Sequence, residues 1–96
     1  MSDRLSYARD GILTSAADLI NGQRAADCGD AAESFARLAA LWTATLGVPI
    51  TAAQVALCLL QLKVSRLCVT PSHADSWIDA AGYIALGGEI ATGGQR

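Results

Sequence analysis

Charge is scarce in this chain: Asp, Glu, Lys and Arg make up 17% of its 96 residues, against about a quarter in an ordinary soluble domain. The seven basic residues are scattered, no three of them cluster, and the net charge is −2. The basic stripe that grips an extended nucleic-acid backbone is therefore missing. No uninterrupted apolar run reaches about 18 residues, and MSDRLSYARD lacks the basic-then-apolar pattern of a signal peptide. The expectation is a soluble cytoplasmic protein without a membrane partner. Cysteine is sparse as well: Cys28, Cys58 and Cys68, at spacings of 30 and 10, match neither a disulfide framework nor a zinc pattern. They read as small apolar fillers in a reducing compartment. There is no glycine-rich phosphate loop, nucleophile elbow, HExxH, internal repeat or strand alternation.

What the chain does have is apolar surface, 52% of its residues. A domain this small buries only about 60 to 65% of its unfolded surface, so one core cannot hide all of it. Self-association, giving a homo-oligomer through apolar helix faces, is the expected outlet.

Residues 1–8 carry no periodicity and read as a flexible terminus. From Arg9, the rhythm of Ile12, Leu13, Ala16, Leu19 and Ile20 predicts a short amphipathic helix stopped by Asn21-Gly22. After the polar connector QRAADCG, Asp30-Ala-Ala-Glu33 reads as a capping box. The helix it opens has Phe35, Leu38, Leu41, Trp42 and Leu46 on its apolar face and ends at Gly47. Thr51 and Gln54 form a second box, with Ile50 placed to staple onto Val55. The third helix runs to about Cys68 or Val69. Thr70-Pro71-Ser72 breaks the chain, Ser72 to Asp75 reads as a third box, and a last helix extends from about His73 to Thr92. Gly82, Gly87 and Gly88 each weaken an isolated helix by about 1 kcal/mol, which points to close approach of another backbone. Residues 9–92 are thus expected to form one all-α domain, a small four-helix bundle, followed by a 93–96 tail.

The third helix carries the chemistry. At about 100° per residue, Gln54, Gln61 and Ser65 fall within roughly 40° of one another and mark its wet edge. Lys63 and Arg66 point elsewhere, among Leu59, Leu62, Val55 and Val69, where a solvated charge is out of place. An unpaired buried charge costs several kcal/mol, so both are expected to turn inward and meet carboxylates. Asp75 and Asp79 stand one turn apart on the next helix, where like charges repel unless a cation lies between them. That cation is either Lys63 with Arg66, making a structural network, or a divalent metal. Mg²⁺ held by Asp75 and Asp79 would leave Lys63 and Arg66 to face phosphates. His73 reads first as a cap or surface residue and second as a phosphate contact. Tyr83 reads as a buried ring whose hydroxyl finds a polar partner, or as a base-stacking platform. Trp42 and Trp77 are assigned to core or interface.

The segments RAADCGD, FARLAALW, VALCLLQLKVSRL and HADSWIDAAGYIALGGEI together resemble a family of short phage and prophage proteins of unassigned function. That family carries Tyr-Gly-Asp where this chain has Cys28-Gly29-Asp30, a Lys-x-x-Arg-Leu as at Lys63 to Leu67, and an Asp-Ser-Trp-x-Asp-x-x-Gly-Tyr as at Asp75 to Tyr83. The resemblance implies expression in a host-cell cytoplasm. More distantly, the Asp79 to Tyr83 pattern is similar to the last metal-binding helix of the all-α nucleoside triphosphate pyrophosphatases of the MazG and dimeric dUTPase type. That likeness implies a helical oligomer, Mg²⁺ and a nucleotide ligand. Those enzymes use Glu-x-x-Glu and Glu-x-x-Asp pairs, whereas here Ser76 stands three before Asp79 and the one earlier pair is Asp30-x-x-Glu33. Two functions follow. One is Mg²⁺-dependent nucleotide pyrophosphohydrolysis. The other is a non-catalytic oligomeric module that binds or sequesters a nucleotide, a signalling nucleotide or a host protein.

Overall fold

The structure, a computed structural model, describes residues 8–22 and 30–94. The expectations placed on residues 1–7, on the 23–29 connector with Cys28, and on residues 95–96 lie outside the described residues. Among the described residues the chain forms four α-helices and no strand. They are α1 Arg9–Asn21, α2 Ala31–Leu46, α3 Ala52–Val69 and α4 Ala74–Ala91.

Local chemistry accounts for most of the boundaries. Gly47 ends α2 in the left-handed region at φ 77°, where its N–H donates to Thr43 O at 2.9 Å and a side chain would be strained. Four residues on, the predicted box forms at the start of α3: Gln54 N donates to Thr51 Oγ1 at 3.1 Å, and Thr51 N donates to Gln54 Oε1 at 2.9 Å. The two ends are tied by Ile50 N, which donates to Thr43 Oγ1 at 2.9 Å. The other two boxes are corrected. Asp30 makes no side-chain cap; it is exposed, so water can satisfy the first amides of α2. At the head of α4 the cap is His73 in place of Ser72, its side chain accepting from Ser76 N.

The α3–α4 contact is the most extensive among the described helices. Gly87 lies against Ala56 and Asp79 against Lys63; numbers that rise on α3 and fall on α4 make the pair an antiparallel hairpin. Around it, α2 packs on α3 and more lightly on α4, while α1 packs on α4. The core is built from Phe35 and Ala39 of α2 with Val55 and Ala56 of α3, flanked by Leu38, Trp42, Leu59 and Tyr83. Two of the three singled-out glycines sit where a side chain of a neighbouring helix comes close. A Cβ on Gly82 would lie 3.1 Å from Ile20 Cγ2, and one on Gly87 would lie 2.9 Å from Ala56 Cβ. Gly88 is the correction, since a Cβ there meets nothing within 4 Å.

The helical wheel of α3 has three sectors. Val55 and Leu59 face α2, Ala56 and Lys63 face α4, and the remaining sector is covered by neither: Leu57 and Val64 are exposed. Cys58 and Cys68 are exposed too, contrary to the filler role expected of them, because their wheel positions fall on the solvent side. On α2, Leu41 and Leu46 are also exposed. Leu41 lies off the Phe35–Trp42 face, and Leu46 belongs to the last turn, beyond the core.

Candidate functional site

The turn between α3 and α4 is built by its own polar groups. His73 N donates to Thr70 O at 3.1 Å, a β-turn with Pro71 in the position that suits its fixed φ. Trp77 Nε1 donates to Pro71 O at 2.8 Å, and the indole braces the turn from α4. His73 Nδ1 lies 3.3 Å from Ser76 N and 2.7 Å from Ser76 Oγ. The His73 side chain accepts from the Ser76 amide and so caps the first turn of α4. Ser76 is fully buried, which makes this pair a cap and not a nucleophile with its base.

One turn into α4, Lys63 Nζ and Asp79 Oδ2 approach to 3.1 Å, with side chains 19% and 27% exposed. This is the interhelical pairing expected from the wheel. It joins only half of the four charges. Arg66 and Asp75 are both exposed, which corrects the inward orientation expected of Arg66. The reason is axial: the buried cluster uses Val55, Ala56 and Leu59 of α3, and Arg66 lies in the turns beyond it, where Val69 is 84% exposed. Tyr83 is half-buried, with its ring centroid 6.5 Å from that of Phe35 at an interplanar angle of 41°. It therefore serves the core.

A divalent cation needs several oxygens at once, and Mg²⁺ in such sites takes one or two carboxylates with substrate phosphates. Asp79 already shares its carboxylate with Lys63, and Asp75 extends into solvent. Among the described residues no group of three His, Cys, Asp or Glu side chains converges. This donor set does not fit a resident metal.

Sequence reasoning missed two features. Ser76 is buried as the partner of the histidine cap, and its three-residue spacing from His73 was the available signal. The other is a shallow apolar hollow of about 280 Å³ between α3 and α4, lined by Ala53, Ala56, Leu57, Tyr83, Ile84 and Gly87 among others.

The described residues thus make a small all-α domain with a half-buried interhelical ion pair. Residues 11–91 match the family described as "Domain of unknown function (DUF6378)", and the chain belongs to that family. It is 47% identical over 76 residues to the Gene 55 protein of Mycobacterium phage L5, covering 78% of this chain and 49% of the relative. It is 35% identical over 74 residues to the Gene 55 protein of Mycobacterium phage D29, covering 77% of this chain and again 49% of the relative. The chain spans about half the length of the curated relatives it matches. No solved structure matches it. The family is thus a phage family of unassigned function, as its motifs suggested.

Proposed function

We propose that this chain is a phage helical module, working in the host cytoplasm, that binds a nucleotide or signalling nucleotide through its phosphates without hydrolysing it. The observation that carries the reading is the Lys63–Asp79 pair at 3.1 Å. It holds an ammonium group in the cleft between two helices, one turn from the exposed Arg66. Lys63 has three donors and keeps some for a phosphate while bound to Asp79. Arg66 adds a planar fork that suits phosphate oxygens. His73 stands at the same end of the hairpin, at the head of α4.

Mg²⁺-dependent pyrophosphohydrolysis of the MazG type is the second reading. It is favoured by Asp75 and Asp79 standing one turn apart on α4 and by the Asp79-to-Tyr83 pattern, and opposed by the donor set above. Calorimetry with a panel of nucleoside triphosphates and signalling nucleotides, with and without Mg²⁺, alongside a phosphate and pyrophosphate release assay, separates the two. The expected result is Mg²⁺-independent binding that disappears in Arg66→Ala, with no turnover above an Asp79→Asn control. Turnover that Asp79→Asn abolishes would establish the hydrolase. Absence of binding in either condition would reject both and leave a structural or host-protein role.

A further inference from the structure

Four charges gather where α3 ends and α4 begins. Lys63 and Arg66 stand one turn apart on α3, and Asp75 and Asp79 one turn apart on α4, spacings that bring Cβ atoms on one helix to about 5 to 6 Å. The Lys63–Asp79 pair at 3.1 Å ties the two helices together, so the four belong to one patch. Arg66 and Asp75 are exposed and are not paired with each other. Two cations and two carboxylates cancel. The helix ends do not tip the balance, because the negative end of α3 and the positive end of α4 meet at the same turn.

That balance decides what kind of anion the patch accepts. Its donor set does not fit a resident metal, so Lys63 and Arg66 are the cations it offers, and Asp79 already takes up part of the first. Arg66 keeps a planar fork that matches two oxygens of one phosphate. A polyphosphate tail exceeds this supply, since its terminal group alone carries about −1.5 to −2 near neutral pH. With side chains one turn apart, the surplus falls inside the screening length of Asp75 and Asp79, about 8 Å at physiological salt, where like charges are unfavourable. A phosphodiester spreads a single charge over two free oxygens. One arginine satisfies it.

We infer that the ligand enters through a phosphodiester, as in a cyclic nucleotide or dinucleotide, and that Asp75 is the residue that turns polyphosphates away. The inference rests on the nucleotide-binding reading above and narrows it. Built-in repulsion of the wrong ligand is a general route to specificity. It also gives a part to Asp75, whose carboxylate enters neither the interhelical ion pair nor the cap on α4.

Calorimetry of the full chain in chelator tests this, comparing a 3′,5′-linked cyclic dinucleotide with the 5′-triphosphate of the same nucleoside, for each common base. The variants are Asp75→Asn and Glu89→Gln. Both residues are exposed on α4, and both changes remove one negative charge, but Glu89 lies about 21 Å further along the helix. The expected result is a phosphodiester bound about tenfold or more tighter than the triphosphate. Asp75→Asn should narrow that ratio severalfold by raising triphosphate affinity, Glu89→Gln should leave it unchanged, and added salt should shrink the Asp75 effect. A triphosphate bound as tightly as the diester, or a ratio that Asp75→Asn leaves alone or Glu89→Gln shifts equally, overturns this inference and leaves the nucleotide reading standing. Absence of binding by every nucleotide overturns both.

Discussion

The two faces of the α3–α4 hairpin are made from the same kinds of residue and have different fates. On the covered face, Val55 and Ala56 are almost completely buried, and Gly82 lets Ile20 of α1 press against the α4 backbone. On the opposite face, Leu57, Val64 and Ile84 are as apolar as their buried neighbours yet about half exposed. Hydrophobicity alone does not distinguish them. Position around the helix does, because a helix in a single layer can be packed from one side by its own chain and must find cover for the other elsewhere.

The largest effect expected on the covered side comes from Phe35→Ala. Phe35 is 7% exposed and central to the core, and truncating such a ring costs about 3 to 5 kcal/mol. Against a total stability of about 5 to 15 kcal/mol, urea titration should show the midpoint falling by a large fraction or the fold being lost. If Leu57→Ala cost as much in the isolated protomer, the distinction between the faces would be wrong.

The ion pair at the seam between α3 and α4 comes next. Asp79→Asn removes one member and leaves Lys63, itself 19% exposed, without its carboxylate. A loss of about 1 to 3 kcal/mol is expected, between the values for exposed and fully buried pairs. In a double-mutant cycle with Lys63→Met the double variant should lose less than the sum of the single losses. Additive losses would mean the two groups do not interact in solution.

The smallest effect is the sharpest, because it compares adjacent residues. Gly87→Ala puts a methyl 2.9 Å from Ala56 Cβ and should destabilise by about 1 to 3 kcal/mol through overpacking. Gly88→Ala meets nothing within 4 Å and should stabilise by up to about 1 kcal/mol through helix propensity. Measured at low protein concentration by thermal melting, the two shifts should have opposite signs. Equal signs would erase the boundary between the faces at this point on α4.

Much of this was legible in the residues. Gly47, the Thr51–Gln54 box and the Pro71 turn mark their boundaries through local hydrogen bonding and φ preferences, which need only a few neighbouring residues. The Lys63–Asp79 contact was legible from wheel angle. Arg66 was misjudged by the same construction, because a wheel records direction around the axis and not distance along it, and the buried cluster ends before Arg66. Gly88 was misjudged beside Gly87 for the converse reason: adjacent residues differ by about 100° in direction, enough to move from a packed interface to open solvent. The cap on α4 shifted by one residue because Ser72 and His73 both have acceptors, and only the turn geometry selects between them.

By itself the sequence determined that this chain folds into helices, where most of them stop, and that its apolar content exceeds what one small core can cover. Periodicity and capping are short-range properties, and length against hydrophobicity is a matter of surface and volume. Only the tertiary structure decided which apolar residues form the core and which remain outside, and which of the charges expected to turn inward did so and found a partner. Those outcomes depend on where neighbouring helices begin, end and cross, distances set jointly by segments far apart in the chain.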